Sequence, residues 1–274
     1  MTEVDRRDRL SIQQRGPAMF QGEIALVTGG SSGIGQAIAK RFARAGACVA
    51  VAASSNVEKA KAVVAEIVAD GGEAFPYVVD VRERMAVRAL VSEVEKRYGT
   101  IGILVTSAGI FLPTPIGEAD PAVFDQMIDV NLKGTFHCID AVVPGMKAAG
   151  AGRIICLSSA ADRLGIAGFA TYCATKGAVT MMVKSLALEL APHNININAI
   201  SPGNTATPMN EGMRTDPAQR TLLETLNAAT PSLRNFSEAE DIAELALFLA
   251  SPPARAMHGS SVLIDEGLSA GVSL

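Results

Sequence analysis

Short apolar runs alternate with longer amphipathic stretches along most of the chain. Seven runs are apolar almost throughout, which predicts strands that are buried on both faces. They read EIALVTGG, ACVAVAAS, EAFPYVVD, IGILVTSAG, GRIICLSS, INAISPG and SVLID. The stretches between them, such as GQAIAKRFARAG and VEKAKAVVAEIVADGG, carry apolar residues at helical spacing. In the second stretch, we expect Val63, Val64, Ile67 and Val68 to face the core.

Strands that alternate with helices predict an α/β fold with a doubly wound, parallel, seven-stranded sheet (a Rossmann fold) and helices on both faces. In such a sheet the ligand crevice lies at the carboxyl ends of the strands. Residues 1–19 are charged and end near Gly16-Pro17, which predicts a flexible tail. Residues 20–274 are predicted to form a single catalytic domain.

Composition excludes several classes of protein. The 274 residues are 49% hydrophobic and carry a net charge of −4, and the chain contains no Trp and three Tyr. Without a basic cluster or stacking aromatic residues, nucleic acid is not an expected partner. The absence of an apolar run of about 18 residues argues against a membrane partner.

Cysteine and histidine usage predicts a cytoplasmic protein without a metal. Cys48, Cys138, Cys156 and Cys173 are widely spaced among small or apolar neighbours, as reduced and buried thiols are. The three histidines are equally scattered, and no spacing matches a metal site.

A glycine-rich turn follows the first predicted strand and opens the next helix. It reads TGGSSGIG from Thr28 to Gly35, with glycines at 29, 30, 33 and 35. Glycines in such a turn permit a sharp bend and a close approach of the backbone to a pyrophosphate, while the helix N-terminus supplies N–H donors. A tight turn without a ligand is the alternative, which the strand-turn-helix context disfavours.

Further motifs follow in a fixed order. These are Asp80-Val81, Thr106-Ser107-Ala108-Gly109, Asn131, Ser159, Tyr172 with Lys176, and Pro202-Gly203. Together with the glycine turn, they resemble the single-domain branch of the short-chain dehydrogenase/reductase superfamily. Two departures stand out: Thr106 and Ser107 replace an Asn pair, and Glu266 replaces a Gly in the final Asp-Gly-Gly.

The resemblance implies a catalytic set of Asn131, Ser159, Tyr172 and Lys176. Tyr172 would exchange a proton with the substrate oxygen, and Ser159 would polarise the carbonyl. Asn131 would connect to Lys176 through water. Tyr172 and Lys176 are four residues apart on one helical face, so we expect the ammonium to lower the pKa of the phenol. Taken singly, each residue has an ordinary structural explanation, such as a cap for Ser159 or a lysine lying over a tyrosine ring.

The same resemblance implies a nicotinamide dinucleotide as cofactor. The residues expected to contact it are Gly29, Ser31, Ser32, Gly33, Ile34, Gly35, Ser54, Asp80, Val81, Ser107, Ala108, Gly109, Tyr172, Lys176, Pro202, Gly203, Thr205 and Thr207.

Cofactor choice depends on the end of the second strand, where an acid normally selects NAD. Ala53 stands at that position and is followed by Ser54, Ser55 and Asn56, which could donate hydrogen bonds to a 2′-phosphate, with Lys59 adding charge. The glycine turn carries no Arg or Lys. We therefore predict a modest preference for NADP(H), with NAD(H) tolerated.

The predicted function is hydride transfer between a nicotinamide and a ketone or secondary alcohol. A 3-oxoacyl thioester, a sugar or polyol, and a hydrophobic ketone all stay open as substrates. The alternative is a non-catalytic dinucleotide-binding sensor or scaffold on the same fold. An epimerase or dehydratase would need a larger substrate domain.

Two further expectations concern the lid and the assembly. Residues 204–237 should form a mobile lid over an apolar site, with Met209, Met213, Leu222 and Leu226 as its contacts. Phe111, Leu112 and residues 164–166 should also face the substrate. The stretch GAVTMMVKSLALEL is apolar on more than one face, and the resemblance implies that it pairs across a two-fold axis. We therefore predict a homotetramer.

Overall fold

The computed structural model describes residues 19–232 and 234–271, without the side chains of Gln219 and Leu222. The predicted tail thus lies, except for Met19, outside the described residues. The strands are β1 (Ile24–Thr28), β2 (Cys48–Ala53), β3 (Glu73–Val78), β4 (Ile101–Thr106), β5 (Gly152–Leu157), β6 (Ile195–Pro202) and β7 (Ser261–Ile264). Six of the seven predicted runs contain one of them, and β6 begins two residues before the run INAISPG.

Helices connect the strands, and three of them begin at a residue whose side chain caps the helix: Asn56, Asp120 and Glu238. They are α1 (Gly33–Arg44), α2 (Val57–Ala69), α3 (Arg84–Tyr98), α4 (Pro121–Met127), α5 (Gly134–Ala149), α6 (Ala170–Leu190), α7 (Glu211–Thr215), α8 (Arg220–Ala229) and α9 (Ala239–Ala250). A π-helical segment, Ile128–Lys133, joins α4 to α5.

The sheet is parallel in every described pair, with the strand order β3-β2-β1-β4-β5-β6-β7. The chain reverses its direction of strand addition at β1, so β1 and β4 are neighbours whose following loops diverge to opposite sides. A crevice opens at such a switch point. The doubly wound Rossmann fold predicted from the sequence is confirmed.

Two apolar layers cover the sheet. Strand alternation sends Ala25 and Val27 to a core shared with α1, α2 and α9, and sends Ile24 and Leu26 to a core shared with α3, α5 and α6. Helix α2 buries Val63 and Ile67, whereas Val68 is 55% exposed. The expectation for Val68 was wrong because Val68 lies next to Ile67 in sequence and is rotated about 100° away from it on the helix.

The last turn differs from the expected glycine pair. Glu266 adopts a left-handed conformation with φ of +56°, which usually favours glycine. Its carboxylate accepts hydrogen bonds from Arg234 at 2.9 Å and from Ser237 at 3.1 Å. These contacts offset the backbone strain and tie the end of β7 to the end of the 204–237 segment.

Candidate active site

A cavity of about 450 Å³ lies at the carboxyl edge of the sheet. Its walls include the glycine turn, the ends of β2, β3, β4, β5 and β6, and the first turns of α6. Most of the predicted cofactor contacts line it: Gly29, Ser31, Ser32, Gly33, Ile34, Gly35, Ser54, Asp80, Val81, Ser107, Ala108, Gly109, Tyr172, Lys176, Pro202 and Thr207. The sequence motifs therefore converge on one space.

The glycine turn is packed so closely that side chains are excluded. Gly29 has a φ of +66°, and a Cβ there would lie 2.7 Å from the backbone nitrogen of Ala108. A Cβ on Gly35 would collide with the carbonyl oxygen of Gly29. The turn leads directly into the N-terminus of α1 at Gly33, and backbone N–H groups at a helix N-terminus are suited to a phosphate.

Tyr172 and Lys176 lie side by side on α6, with the ammonium nitrogen 5.6 Å from the centre of the phenol ring. Lys176 is buried, and its Nζ donates a hydrogen bond to the carbonyl of Leu157 at 2.9 Å. Burial lowers the pKa of Lys176 to about 8. The alternative in which Lys176 lies over the tyrosine ring and extends its ammonium into water is thus excluded, because the ammonium is buried.

The pKa of Tyr172 moves in the direction opposite to our expectation. Burial raises it above its ordinary value, and a hydrogen bond with Ser159 opposes that increase. The ammonium of Lys176 lies 5.6 Å from the ring centre, and its hydrogen bond goes to the carbonyl of Leu157. Without a bound ligand, the phenol is therefore held in its protonated form.

Ser159 lies two residues after β5 and hydrogen-bonds with Tyr172, while Ser158 borders the cavity but turns its hydroxyl toward α6. The hydroxyl of Ser159 also accepts from the backbone N–H of Ala161 at 3.2 Å, so it caps the short turn that follows. Ser158 donates to the carbonyl of Lys176 at 3.0 Å. The two serines have different roles, as strand alternation predicts.

Asn131 is buried within the π-helical segment, a type of irregularity that is frequent at functional sites. Its Oδ1 accepts from the backbone N–H of Ile110 at 2.8 Å, and its Nδ2 donates to Ile110 O at 2.9 Å. Nδ2 also lies 3.2 Å from the hydroxyl of Thr175. A Cβ on Gly109 would lie 3.4 Å from Asn131 Oδ1 and 3.7 Å from Lys176 Nζ, so these two groups approach the same point.

Ser54 and Ser55 line the cavity beyond the end of β2, whereas Asn56 has another role. Its side chain caps α2 by accepting from the backbone N–H of Glu58 at 2.9 Å. Lys59 is exposed and is not among the described residues that line the cavity. Of the residues weighed for the 2′-phosphate, the two serines alone reach the cavity.

Arg82 also lines this end of the cavity, and the sequence analysis missed it. Its guanidinium forks onto Asp80, with Nη2 at 2.6 Å from Oδ2. Hydrogen bonds from Arg82 hold the pKa of Asp80 below its usual range. The Asp-x-Arg spacing was a usable signal, whereas the cation positions expected from the resemblance lie in the glycine turn and after β2. Gln126, Val130 and Met209 are further lining residues that no motif indicated.

Four predicted site residues are not among the described lining residues: the catalytic candidates Asn131 and Ser159, and the cofactor contacts Gly203 and Thr205. A Cβ on Gly203 would lie 2.6 Å from Cβ of Asp265, so glycine is needed there for packing against the end of β7. Thr205 pairs with Ser237 in an isolated bridge. Gly203 and Thr205 thus have structural roles that explain their presence without a ligand.

Helices α7 and α8 lie within the predicted lid segment, residues 204–237. Met209 lines the cavity and is 58% exposed, and a Cβ on Gly33 would lie 3.3 Å from Thr207 across the opening. The side chain of Leu222 lies outside the described residues. The segment therefore borders the cavity, and its mobility stays a prediction.

An aromatic pair stands beside Tyr172. Phe111 stacks on Phe169 with ring centres 4.2 Å apart and planes 6° apart, and it meets the Tyr172 ring edge-on at 4.7 Å. The two loops that carry the pair are joined by a hydrogen bond from the N–H of Thr114 to the carbonyl of Gly168 at 2.7 Å. This arrangement gives one side of the site an apolar wall next to the phenol.

The profile of the short chain dehydrogenase family matches residues 23–218. The chain belongs to the short-chain dehydrogenase family. It is 38% identical over 244 residues to a 3-oxoacyl-(acyl-carrier-protein) reductase of Staphylococcus aureus, with 89% of this chain and 97% of the relative covered. It is also 38% identical over 251 residues to a 2,5-dichloro-2,5-cyclohexadiene-1,4-diol dehydrogenase of Sphingobium indicum, with 92% and 98% covered.

Solved structures of short-chain dehydrogenases share the fold closely. A gluconate 5-dehydrogenase from Burkholderia cenocepacia, in complex with NADP and tartrate, is 34% identical and superposes with a TM-score of 0.86 over 94% of this chain and 100% of that one. This short-chain dehydrogenase is an NAD(P)-dependent oxidoreductase that acts on a ketone or a secondary alcohol. The sensor or scaffold alternative is not supported.

Two other features bear on partners. No helix of the described residues is long and apolar enough to span a bilayer. The described residues also contain no group of three or more His, Cys, Asp or Glu that could hold a metal ion.

The buried Lys176 predicts a specific pH dependence of stability. Its folded pKa is near 8 against a reference value of 10.5, so between those values the unfolded chain binds a proton that the folded chain does not. Stability therefore rises with pH in this window. Relative to Lys176→Met, the wild type should gain about 2 kcal/mol between pH 7 and pH 10, measured by urea unfolding of the cofactor-free protein.

The matched control is Lys184→Met, since Lys184 is exposed on the same helix and its ammonium is hydrated in both states. That variant should show the same difference from wild type at both pH values. Equal pH dependence for the two variants would contradict the buried charge of Lys176.

Proposed function

We propose that this short-chain dehydrogenase uses Tyr172 as its proton donor and acceptor, with Ser159, Lys176 and Asn131 completing the catalytic set, and that it prefers NADP(H). The observation that carries the proposal is the convergence of the phenol, the buried ammonium and the glycine turn on one cavity. Such a cavity brings a proton-transferring group to the wall opposite a phosphate-binding turn.

The residues that line the cavity fit a dinucleotide. Gly29 and Gly35 clear space for the backbone, while the N-terminus of α1 would hold the pyrophosphate. Asp80 and Val81 would border the adenine, and Lys176 would hold the nicotinamide ribose. The bound nicotinamide would supply or accept the hydride.

In the reduction, Tyr172 donates its proton to the substrate oxygen as negative charge develops there. Ser159 donates a hydrogen bond to the same oxygen and stabilises that charge. The raised pKa of Tyr172 keeps the phenol protonated until then. For the reverse reaction the phenol must lose its proton, which requires an adjacent cation and fits the position of the Lys176 ammonium near the ring.

Asn131 keeps its polar atoms on Ile110 and next to Thr175, so it holds the loop after β4 against α6. Its approach to the same point as Lys176 supports the proposed connection through water. In this role Asn131 would hold the water through which protons pass between Lys176 and solvent.

The preference for NADP(H) rests on the lack of an acid at the end of β2. Ala53 is buried there, and Ser54 and Ser55 line the cavity with free hydroxyls to offer a 2′-phosphate. Arg82 adds the positive charge that neither the turn nor β2 supplies. Because Arg82 is also paired with Asp80, the preference should be modest.

The substrate is a neutral or weakly polar carbonyl compound or alcohol that contacts the wall formed by Phe111 and Phe169. This wall favours a hydrophobic ketone among the three open classes, because a sugar would leave its hydroxyls without partners there. A panel with one 3-oxoacyl thioester, one keto-sugar acid and one cyclic ketone separates the classes.

We also propose a cytoplasmic homotetramer. Cys48, Cys138 and Cys156 are buried and free, and burial raises the pKa of the Cys138 thiol to about 12, as suits reduced structural thiols. Large apolar side chains stay exposed on α5 and α6, among them Phe136 at 45%, Met181 at 63% and Leu188 at 82%. A second copy of the chain would cover this surface.

Replacing Tyr172 with Phe should leave NADPH binding nearly unchanged and reduce kcat by more than tenfold, because only the proton carrier is removed. The measurement is the absorbance of NADPH with the best substrate of the panel, together with NADPH titration by fluorescence. Retention of more than about a tenth of wild-type kcat, under about 1.4 kcal/mol of barrier, would contradict the role.

Cofactor selection predicts that kcat/KM is several-fold higher for NADPH than for NADH. Ala53→Asp should reverse that order by placing a carboxylate against the 2′-phosphate. Both cofactors are compared with one substrate in wild type and variant. A tenfold wild-type preference for NADH, about 1.4 kcal/mol, would show that the missing acid does not decide the choice.

The proposed tetramer predicts that Leu188→Glu reduces the number of chains in the assembly, because the variant places a carboxylate in the surface that a second copy would cover. Sedimentation at micromolar concentration should show a tetramer for the wild type and smaller species for the variant. A stable wild-type monomer would exclude the assembly.

A further inference from the structure

Asp162 lies in the turn Ala160–Asp162, which follows Ser158 and Ser159 at the end of β5. Its side chain is 1% exposed, and none of the catalytic roles proposed above uses it. A buried carboxylate is costly unless its oxygens are fully hydrogen-bonded. Its partners therefore show what this charge holds in place.

The carboxylate joins four parts of the chain. Its Oδ1 accepts from Nε of Arg163 at 2.7 Å. Its Oδ2 accepts from the hydroxyl of Thr180 on α6 at 2.7 Å, that of Ser201 on β6 at 2.7 Å and that of Ser261 on β7 at 2.9 Å. Burial by itself raises the pKa of Asp162, but these hydrogen bonds outweigh it and hold the pKa below its ordinary value.

The network continues into the catalytic elements. The hydroxyl of Thr180 lies 3.0 Å from that of Ser158, and Ser158 donates to the backbone carbonyl of Lys176. Lys176 returns a hydrogen bond from Nζ to the carbonyl of Leu157, the residue before Ser158. Two hydrogen bonds, from Ser158 to Lys176 and from Lys176 to Leu157, thus join the end of β5 to α6, the helix that carries Tyr172.

A carboxylate can accept hydrogen bonds but cannot donate them. Asp162 therefore orients the hydrogens of three hydroxyls toward itself. The oxygen of Thr180 can then only accept from Ser158, whose single hydrogen is shared between Thr180 and the carbonyl of Lys176. An asparagine side chain has one acceptor oxygen and one NH2 group. It could therefore not accept from both Arg163 and the three hydroxyls. The negative charge, and not only the volume of the side chain, sets the direction of the network.

We propose that Asp162 is a positioning residue for the reaction, because its buried carboxylate fixes the strand end that carries Ser159 against the helix that carries Tyr172 and Lys176. The inference rests on the proposed catalytic set. It adds that the alignment of that set depends on a carboxylate outside the cavity, which is not among the described residues that line it. Small misplacements of reacting groups are costly to catalysis.

The test compares kcat with cofactor affinity in four variants. Asp162→Asn should lower kcat about tenfold on the best carbonyl substrate of the panel, with the Kd of NADPH within twofold of wild type. Thr180→Val should lower kcat at least threefold, and Thr180→Ser, which keeps the hydroxyl, should stay within twofold of wild type. Rescue by serine distinguishes a hydrogen-bonded network from packing alone.

Asp140→Asn is the matched control, because Asp140 is likewise an aspartate paired with arginine. It bonds to Arg84 and Arg88 and joins α3 to α5 away from the cavity. Its kcat should equal that of wild type even where its unfolding midpoint falls. Wild-type kcat in Asp162→Asn, or equal losses in Thr180→Val and Thr180→Ser, would overturn the inference. If Asp162→Asn does not fold, the two Thr180 variants decide it.

The same assay keeps this inference separate from the proposed function. Activity of Tyr172→Phe, or a wild type that reduces none of the panel, counts against the catalytic set, and the inference falls with it. An inactive Tyr172→Phe together with an unimpaired Asp162→Asn counts against Asp162 alone.

Discussion

The hydrogen bond from the Lys176 ammonium to the carbonyl of Leu157 is the contact on which the site depends. It joins α6 to the end of β5 in an enclosed space, where burial brings the pKa of the ammonium down to about 8. Folding thus places a cation where it is poorly solvated and where it loses its proton at a lower pH than in water. The fold bears this cost because the same position puts the cation beside both the phenol and the cavity.

Around that contact, polar side chains lie together at the carboxyl edge of the sheet, where they can form hydrogen bonds that the apolar core does not offer. Each strand of a parallel sheet ends there with unpaired backbone groups, so the loops that follow supply hydrogen bonds of their own. Asn131 satisfies Ile110 after β4, and Asp162 satisfies hydroxyls from β6, β7 and α6. The edge is consequently both rigid and polar, as a site for hydride transfer requires.

The fold was predictable from the sequence because periodicity reports directly on burial. Runs such as IALVT and CVAVAA are buried at every position, and each became a strand of a sheet covered on both sides. Individual positions at the margins of helices were less predictable, as Val68 shows. A residue at the edge of an apolar face can lie on either side of the boundary, and tertiary packing decides which.

The candidate site was predictable where a motif fixes local backbone geometry and less so where function depends on contacts between distant segments. The glycine turn could be predicted from the spacing of its glycines and its place between a predicted strand and a predicted helix. In contrast, the shift of the Tyr172 pKa depends on burial, and the role of Asn56 depends on whether α2 takes its side chain as a cap. The Asp162 network has partners up to 99 residues away, and Arg82 and Ser54 come from different segments of the chain. A motif within one segment could predict neither of these contacts.

At the end of the cavity near Ala53, two local rules would combine into the graded cofactor preference that we propose. An acid after β2 would repel a 2′-phosphate strongly, and a free arginine would attract it strongly. Here Ala53 removes the repulsion, while Arg82 brings a guanidinium whose charge is largely balanced by Asp80 at 2.6 Å. A paired cation acts over a short range, because the fields of the two charges cancel with distance. Attraction for the phosphate would then depend on direct contact with Ser54, Ser55 and the outer face of the guanidinium, and on this ground we expect a site with an arginine still to tolerate NAD(H).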